Sequence, residues 1–238
     1  MAVFAASALA QTPPPAPPTP RPPIAAAKLA SVTDKPVSFR ASRVTIPPNE
    51  KGSVSGGDGI LYQVSGSTEI SIESEIRTIG AGDGVFIAAG KVGALKAHGG
   101  EPSIFLHFLL VPAADLNQPI VAAPATVNDL YRTANAIPDL KPGAYALNLR
   151  RITFPARTPT NAPHHRTGAA IYYVVSGTGA NTIDGRTEAK GPGSFIYEPF
   201  GLVHQWGNPG DEPFTFLVFN LSPEGTPAVV PGAPVKAQ

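Results

Sequence analysis

The chain repeats itself, and that restricts its fold more than any other feature, because it must be built from two similar units of about 110 residues. Arg43-Val44-Thr45-Ile46-Pro47 returns as Arg151-Ile152-Thr153-Phe154-Pro155, 108 positions on. Ile60-Leu61-Tyr62-Gln63-Val64-Ser65-Gly66 returns as Ile171-Tyr172-Tyr173-Val174-Val175-Ser176-Gly177, now 111 positions on. Gly82-Asp83-Gly84-Val85-Phe86-Ile87 matches Gly191-Pro192-Gly193-Ser194-Phe195-Ile196. Glu101-Pro102 and Phe105-Leu106 match Glu212-Pro213 and Phe216-Leu217. The matched pieces are short, rich in Val, Ile, Phe and Tyr, and bounded by Gly, Pro and Asn, which are strand and turn signals. Many short strands at regular spacing predict an all-β sandwich or barrel. Helical periodicity is absent over any long window, although Asn128 to Asn135 reads as one short helix joining the halves.

Composition agrees. Hydrophobic residues make up 42%, enough for two cores, and the 24 glycines and 28 prolines suit tight turns. A net charge of +1 with 15% charged residues provides no basic stripe for a nucleic acid. The absence of cysteine excludes disulfides and thiolate metal sites. No segment has the ~18 consecutive apolar residues of a membrane span. Near the start, Ala8-Leu9-Ala10 before Gln11 reads as the cleavage site of an export-signal remnant. The proline-rich Gln11 to Pro23 reads as a semi-rigid spacer. The expected location is periplasmic or secreted, with a mature chain beginning near Gln11.

The sharpest local pattern lies in the second half: Gly193, five residues, Pro199-Phe200-Gly201, two residues, His204, three residues, Asn208. This resembles the second motif of the cupin superfamily at all five of its fixed positions. The first cupin motif is degenerate. Gly177 fits its last glycine, but its glutamate position holds Ala170. Its histidine pair falls on Pro163 and His165, or on His164 and Arg166. Neighbours on a strand point to opposite faces, so only one of His164 and His165 faces the interior unless a bulge re-aims the other. In the first half Ser53, Val54 and Gly59 stand at the matching positions. His98 and His107 lie off the motif, and His107 reads as a packed strand residue with a satisfied ring.

The resemblance implies a bicupin, that is, two tandem jelly-roll barrels with short helical connections. The expected division is leader and spacer at 1–27, a structural barrel at 28–125, a functional barrel at 126–225 and a flexible tail at 226–238. It further implies a divalent metal (Fe, Mn, Ni, Cu or Zn) held by His204 with His164 or His165 or both. Glu198 is the candidate for the missing carboxylate, with a part in catalysis or in orienting a ligand histidine. Tyr172, with Tyr197 and Trp206, is a candidate lining residue, and Tyr172 a candidate catalytic group. The function expected is a dioxygenase-like oxidoreductase acting on a small organic substrate, aromatic or enolic. The competing expectation is a non-catalytic barrel that binds a sugar or organic acid, with or without metal. A homodimer joined through the sheets is a further expectation.

Overall fold

The computed structural model describes residues 22–233, so the segments expected as an export-signal remnant and most of the proline spacer lie outside the described residues. The strands of the first repeat are β1 (Ala25–Leu29), β2 (Val37–Ile46), β3 (Lys51–Val54), β4 (Asp58–Ser65), β5 (Ser67–Ile72), β6 (Glu75–Gly80), β7 (Gly84–Ile87), β8 (Gly93–His98), β9 (Ser103–Pro112) and β10 (Val121–Ala122). Those that follow are β11 (Thr126–Arg132), β12 (Tyr145–Phe154), β13 (His164–Arg166), β14 (Ala169–Ser176), β15 (Gly179–Ile183), β16 (Arg186–Lys190), β17 (Phe195–Glu198), β18 (His204–Gly207), β19 (Phe214–Pro223) and β20 (Val229–Pro231).

They form four five-stranded antiparallel sheets, two to each barrel. The first barrel has the orders β11-β2-β9-β4-β7 and β10-β3-β8-β5-β6. The second has β1-β12-β19-β14-β17 and β16-β15-β18-β13-β20. The edge strands cross over: β1 precedes the first barrel but pairs with β12, while β11 follows it and pairs with β2. Helical connections are lacking among the described residues, apart from one 3-10 turn at Ala113–Asp115. The short helix expected over 128–135 is strand β11 instead. A helix of eight residues gains too little from its own hydrogen bonds, whereas the free edge of β2 satisfies the backbone directly. Likewise, the segment expected as a tail contains β20, which pairs with β13.

The repeat is structural. Gly59 faces Ile87 as Ala170 faces Glu198, so the 111-residue offset runs through the β7–β17 region as well. The sequence match there (Gly82 with Gly191) is therefore two residues out of step. A slip of two keeps every side chain on its own face, which is why the pattern still read correctly. Gly66 and Gly177 are a true pair: both have left-handed backbone, at φ 73° and 70°. A Cβ would lie 2.6 Å and 2.3 Å from the carbonyls of Pro102 and Pro213, so only glycine fits either turn.

Strand alternation sorts each barrel's side chains into two sets. Phe39, Ala41, Ile60, Leu106, Phe108 and Leu110 leave the first barrel on one face. They meet Leu147, Leu149, Ile171, Leu217, Phe219 and Leu221 of the second in one shared core. Phe219 is its centre, with ring centroids 5.5 Å from Phe39 and 5.7 Å from Phe108. Each such buried side chain contributes roughly 1.5–3 kcal/mol, so the two barrels hold each other.

The opposite faces line the barrel interiors. The first is apolar: Val44, Ile46, Val54, Leu61, Ile70, Val85, Ile87, Leu95 and Phe105. One end of it is polar. There Arg40 donates to both carboxylate oxygens of Asp129, at 2.8 and 3.0 Å, and to the Gln118 carbonyl at 2.7 Å. Nearby, His107 is buried with neither ring nitrogen hydrogen-bonded, contrary to the satisfied ring expected. Burial, and then the Arg40 cation, lower its pKa from 6.5 to about 3, so the imidazole is neutral.

Candidate functional site

The interior of the second barrel is built differently. Short strand β13 lies between β18 and β20, with His164 in register with His204. Directly paired residues share a face, so His164 turns inward, and its ring centroid lies 4.2 Å from that of His204. Alternation then turns His165 outward, where its Nδ1 bonds the Gly232 carbonyl at 2.7 Å. It also turns Arg166 inward, beneath His164. Exposure falls along this strand from the half-buried His164 to Arg166, whose side chain is 5% exposed, and so marks the mouth and the floor of the barrel.

Glu198 comes from the other sheet. It stands opposite Ala170, so a carboxylate reaches the barrel centre from the strand beside the degenerate motif position. Its side chain is fully buried, and Arg166 Nε donates to Oε2 at 3.0 Å. Trp206 Nε1 donates to Oε1 at 3.3 Å. The guanidinium also donates to Asn220 Oδ1 at 2.9 Å and to the Tyr172 hydroxyl, and it lies over the Tyr172 ring, 5.0 Å from the centroid. Arg166 thus staples one sheet of the barrel to the other. Burial opposes its charge, but Tyr172 and Glu198 outweigh burial and keep it firmly protonated. Burial pushes the Tyr172 phenol well above its usual value, against the pull of Arg166.

His204 is the exception in this network. Its Nδ1 lies 3.0 Å from the Leu202 carbonyl, a contact that fixes the proton there and leaves Nε2 as the acceptor. Nε2 lies 3.0 Å from Glu198 Oε2, but the contact lacks hydrogen-bond alignment and the nitrogen is buried without a partner. Burial lowers the proton affinity of the ring even though Glu198 works the other way, so the imidazole is neutral. The Pro199-Phe200-Gly201 turn sets this geometry: Gly201 has φ 74° and donates its N–H to the Arg166 carbonyl. Phe200 is 44% exposed on the same turn. Asn208, the last motif position, is structural: its side chain bonds the carbonyls of Phe154, Pro155 and Glu212.

The expected metal centre is therefore corrected. Among the described residues, no three His, Cys, Asp or Glu side chains are grouped so as to hold a metal ion. The reasons are visible. His165 points away from His164 and His204, and the guanidinium of Arg166 already engages Glu198. A divalent cation placed there would face a fixed positive charge at short range. The residues present do not fit Fe, Mn, Ni, Cu or Zn, and the metal-dependent dioxygenase reading falls with them. Arg166 was visible as the inward partner of His164 by strand parity alone. Asn220 carried no such signal, since its counterpart in the repeat is Leu109.

Comparison with known proteins agrees with this architecture. A family model for the cupin domain matches residues 150–220, which span the second-barrel strands from β12 to β19. The fold is that of the cupin superfamily. An oxalate decarboxylase from Bacillus subtilis superposes with a TM-score of 0.57 at 15% identity, over 86% of this chain and 78% of that one. AerE from Microcystis aeruginosa superposes at 0.54 with 16% identity, over 80% of this chain and 95% of that one. A salicylate 1,2-dioxygenase from Pseudaminobacter salicylatoxidans superposes at 0.53 with 12% identity, over 76% and 70%. At such identities the cupin likeness is one of fold. No curated protein matches the chain in sequence. No helix among the described residues is long and apolar enough to cross a membrane.

Proposed function

We propose that the chain is a bicupin in which the first barrel is structural and the second binds a small organic acid without chemistry upon it. The observation that carries this reading is the unpartnered, buried Nε2 of His204, close to the half-buried His164 ring. A buried acceptor without a donor costs on the order of 1–3 kcal/mol, and a hydroxyl or protonated acid group entering from the mouth removes that cost. Arg166 supports the choice of an acid. A guanidinium has five N–H donors, and three protein acceptors leave some of them for a carboxylate. Two of the structures sharing the fold carry small acids, oxalate and salicylate, in their names.

The test is a panel of small organic acids and sugars, titrated with a chelator present and followed by fluorescence. The chain has one tryptophan, Trp206, and it is buried on Glu198. At least one acid is expected to change its emission. His164→Ala and His204→Ala should each weaken that acid about tenfold, the equivalent of one lost buried hydrogen bond. His165→Ala should leave its affinity unchanged. A panel in which only sugars bind, or binding that survives both inward substitutions, overturns the reading.

A further inference from the structure

We infer that the seam between the two barrels holds a binding site for a small aromatic carboxylate, in an open cavity flanked by Arg77 and Arg151. The site lies outside the second barrel and is independent of the organic-acid reading of that barrel. The cavity measures about 420 Å³ and is lined by Ile24, Arg77, Thr78, Gly82, Asp83 and Gly84, with Ile79 behind them. Small-molecule sites commonly have volumes of about 300–1,000 Å³. Ile24 leads into β1, which belongs to a sheet of the second barrel, while the other lining residues come from β6, β7 and the turn between them in the first. Arg151, from β12, lies against the Gly82 wall: a Cβ on Gly82 would be 3.1 Å from its Nη2. Each barrel therefore brings one guanidinium to the seam.

The repeat shows what the seam lacks on this side. Tyr62 stands opposite Gly84 as Tyr173 stands opposite Phe195. In the second barrel the Phe195 ring is enclosed, 4.9 Å from Tyr173 and stacked on Tyr131 at 5.1 Å. In the first, Gly84 supplies no ring and the backbone leaves no room for one: a Cβ would lie 2.7 Å from Ile24 Cγ2 and 2.9 Å from the Leu61 carbonyl. A ring must come from outside the chain. The Tyr62 ring is met instead by Arg151, whose Cζ lies 5.4 Å from the centroid and whose Nη2 donates to the Tyr62 hydroxyl. Tyr62 thus holds that guanidinium in place, and its remaining N–H donors are left for an acid. Among the described residues, no ion pair includes Arg77 or Arg151. Asp83 is the one acid in the lining. Its Oδ2 accepts the Gly80 N–H at 2.9 Å, and two guanidiniums outweigh its charge. A planar carboxylate suits these cations, and an aromatic ring suits the apolar contact offered by Ile24 and Gly84.

The probe is benzoate, titrated onto the full chain and followed by ligand-observed NMR, with Trp206 emission recorded beside it to report on the second barrel. Benzoate is expected to bind the native protein and the His204→Ala variant alike. Arg77→Gln and Arg151→Gln should each weaken it about tenfold, one charge-assisted hydrogen bond apiece, and leave the response of Trp206 to its own acid unchanged. Arg77 has no partner to lose, so its substitution leaves the fold intact. Benzyl alcohol, which keeps the ring and lacks the charge, and acetate, which keeps the charge and lacks the ring, should each bind at least about tenfold more weakly than benzoate. The inference is overturned if native protein does not bind benzoate, if the Arg77→Gln/Arg151→Gln double variant binds it as the native protein does, or if either control ligand binds as well. Benzoate binding that is lost in His204→Ala but kept in both arginine variants would place the acid in the second barrel, sinking the seam site and leaving the other reading intact.

Discussion

At matching inner positions the first barrel carries Gly59, Leu61, Ile87, Gly93 and Leu95, and the second carries Ala170, Tyr172, Glu198, His204 and Trp206. The strands that carry them pair in the same register, and the turns close on the same glycines. The faces that the two barrels turn toward each other, by contrast, are both mainly apolar and meet in one core. The difference teaches where the fold is specified. It is specified by the face between the barrels and by the turns, while the interior is free to be apolar or polar. A polar interior is tolerated provided its charges are paired, as Arg166 and Glu198 are.

The comparison breaks most visibly at that pair. Glu198→Leu makes the second barrel more like the first but leaves Arg166 as an uncompensated buried cation. It should cost about 3–5 kcal/mol in denaturant unfolding. Adding Arg166→Met to Glu198→Leu removes the orphaned charge and should recover most of that loss. A double variant as unstable as Glu198→Leu alone would show that shape, rather than charge, dominates there.

A smaller effect sharpens the first barrel. By the repeat, His107 takes the place of Val218 and gains no hydrogen bond for its two buried nitrogens. His107→Val should therefore be neutral or stabilising by about 1 kcal/mol at neutral pH. The pH dependence has a definite sign. The folded-state pKa is about 3, below the usual 6.5, so as pH falls through that window the unfolded chain takes up a proton that the native chain refuses. Native stability should fall by up to about 1.4 kcal/mol per pH unit from this group alone. His107→Val should flatten that slope in unfolding curves taken between these pH values. An unchanged slope would mean that His107 reaches a proton acceptor in solution.

The fold was legible in the sequence because repetition and alternation are both local signals. The offset between Arg43 and Arg151 places β2 and β12, and the Ile60 and Ile171 segments place β4 and β14. Turn geometry was legible at Gly66, Gly177 and Gly201, where the backbone leaves no other choice. The site was legible only in part. His204 and His164 meet and Glu198 reaches the centre, although the spacing of the first motif put its glutamate at Ala170 and left His164 and His165 both open. The spacing did not reveal that Arg166 and Glu198 would find each other, because they come from opposite sheets and their pairing depends on the closure of the barrel. Nor did it reveal β11. The free edge that captures Thr126–Arg132 exists only once β2 is folded.

The central claim is that the second barrel carries its own cation. The most direct measurement is elemental analysis of the native protein purified without chelator, per mole of chain. The account predicts far less than one equivalent of any transition metal. One tightly held ion per chain, lost on His204→Ala, would contradict it.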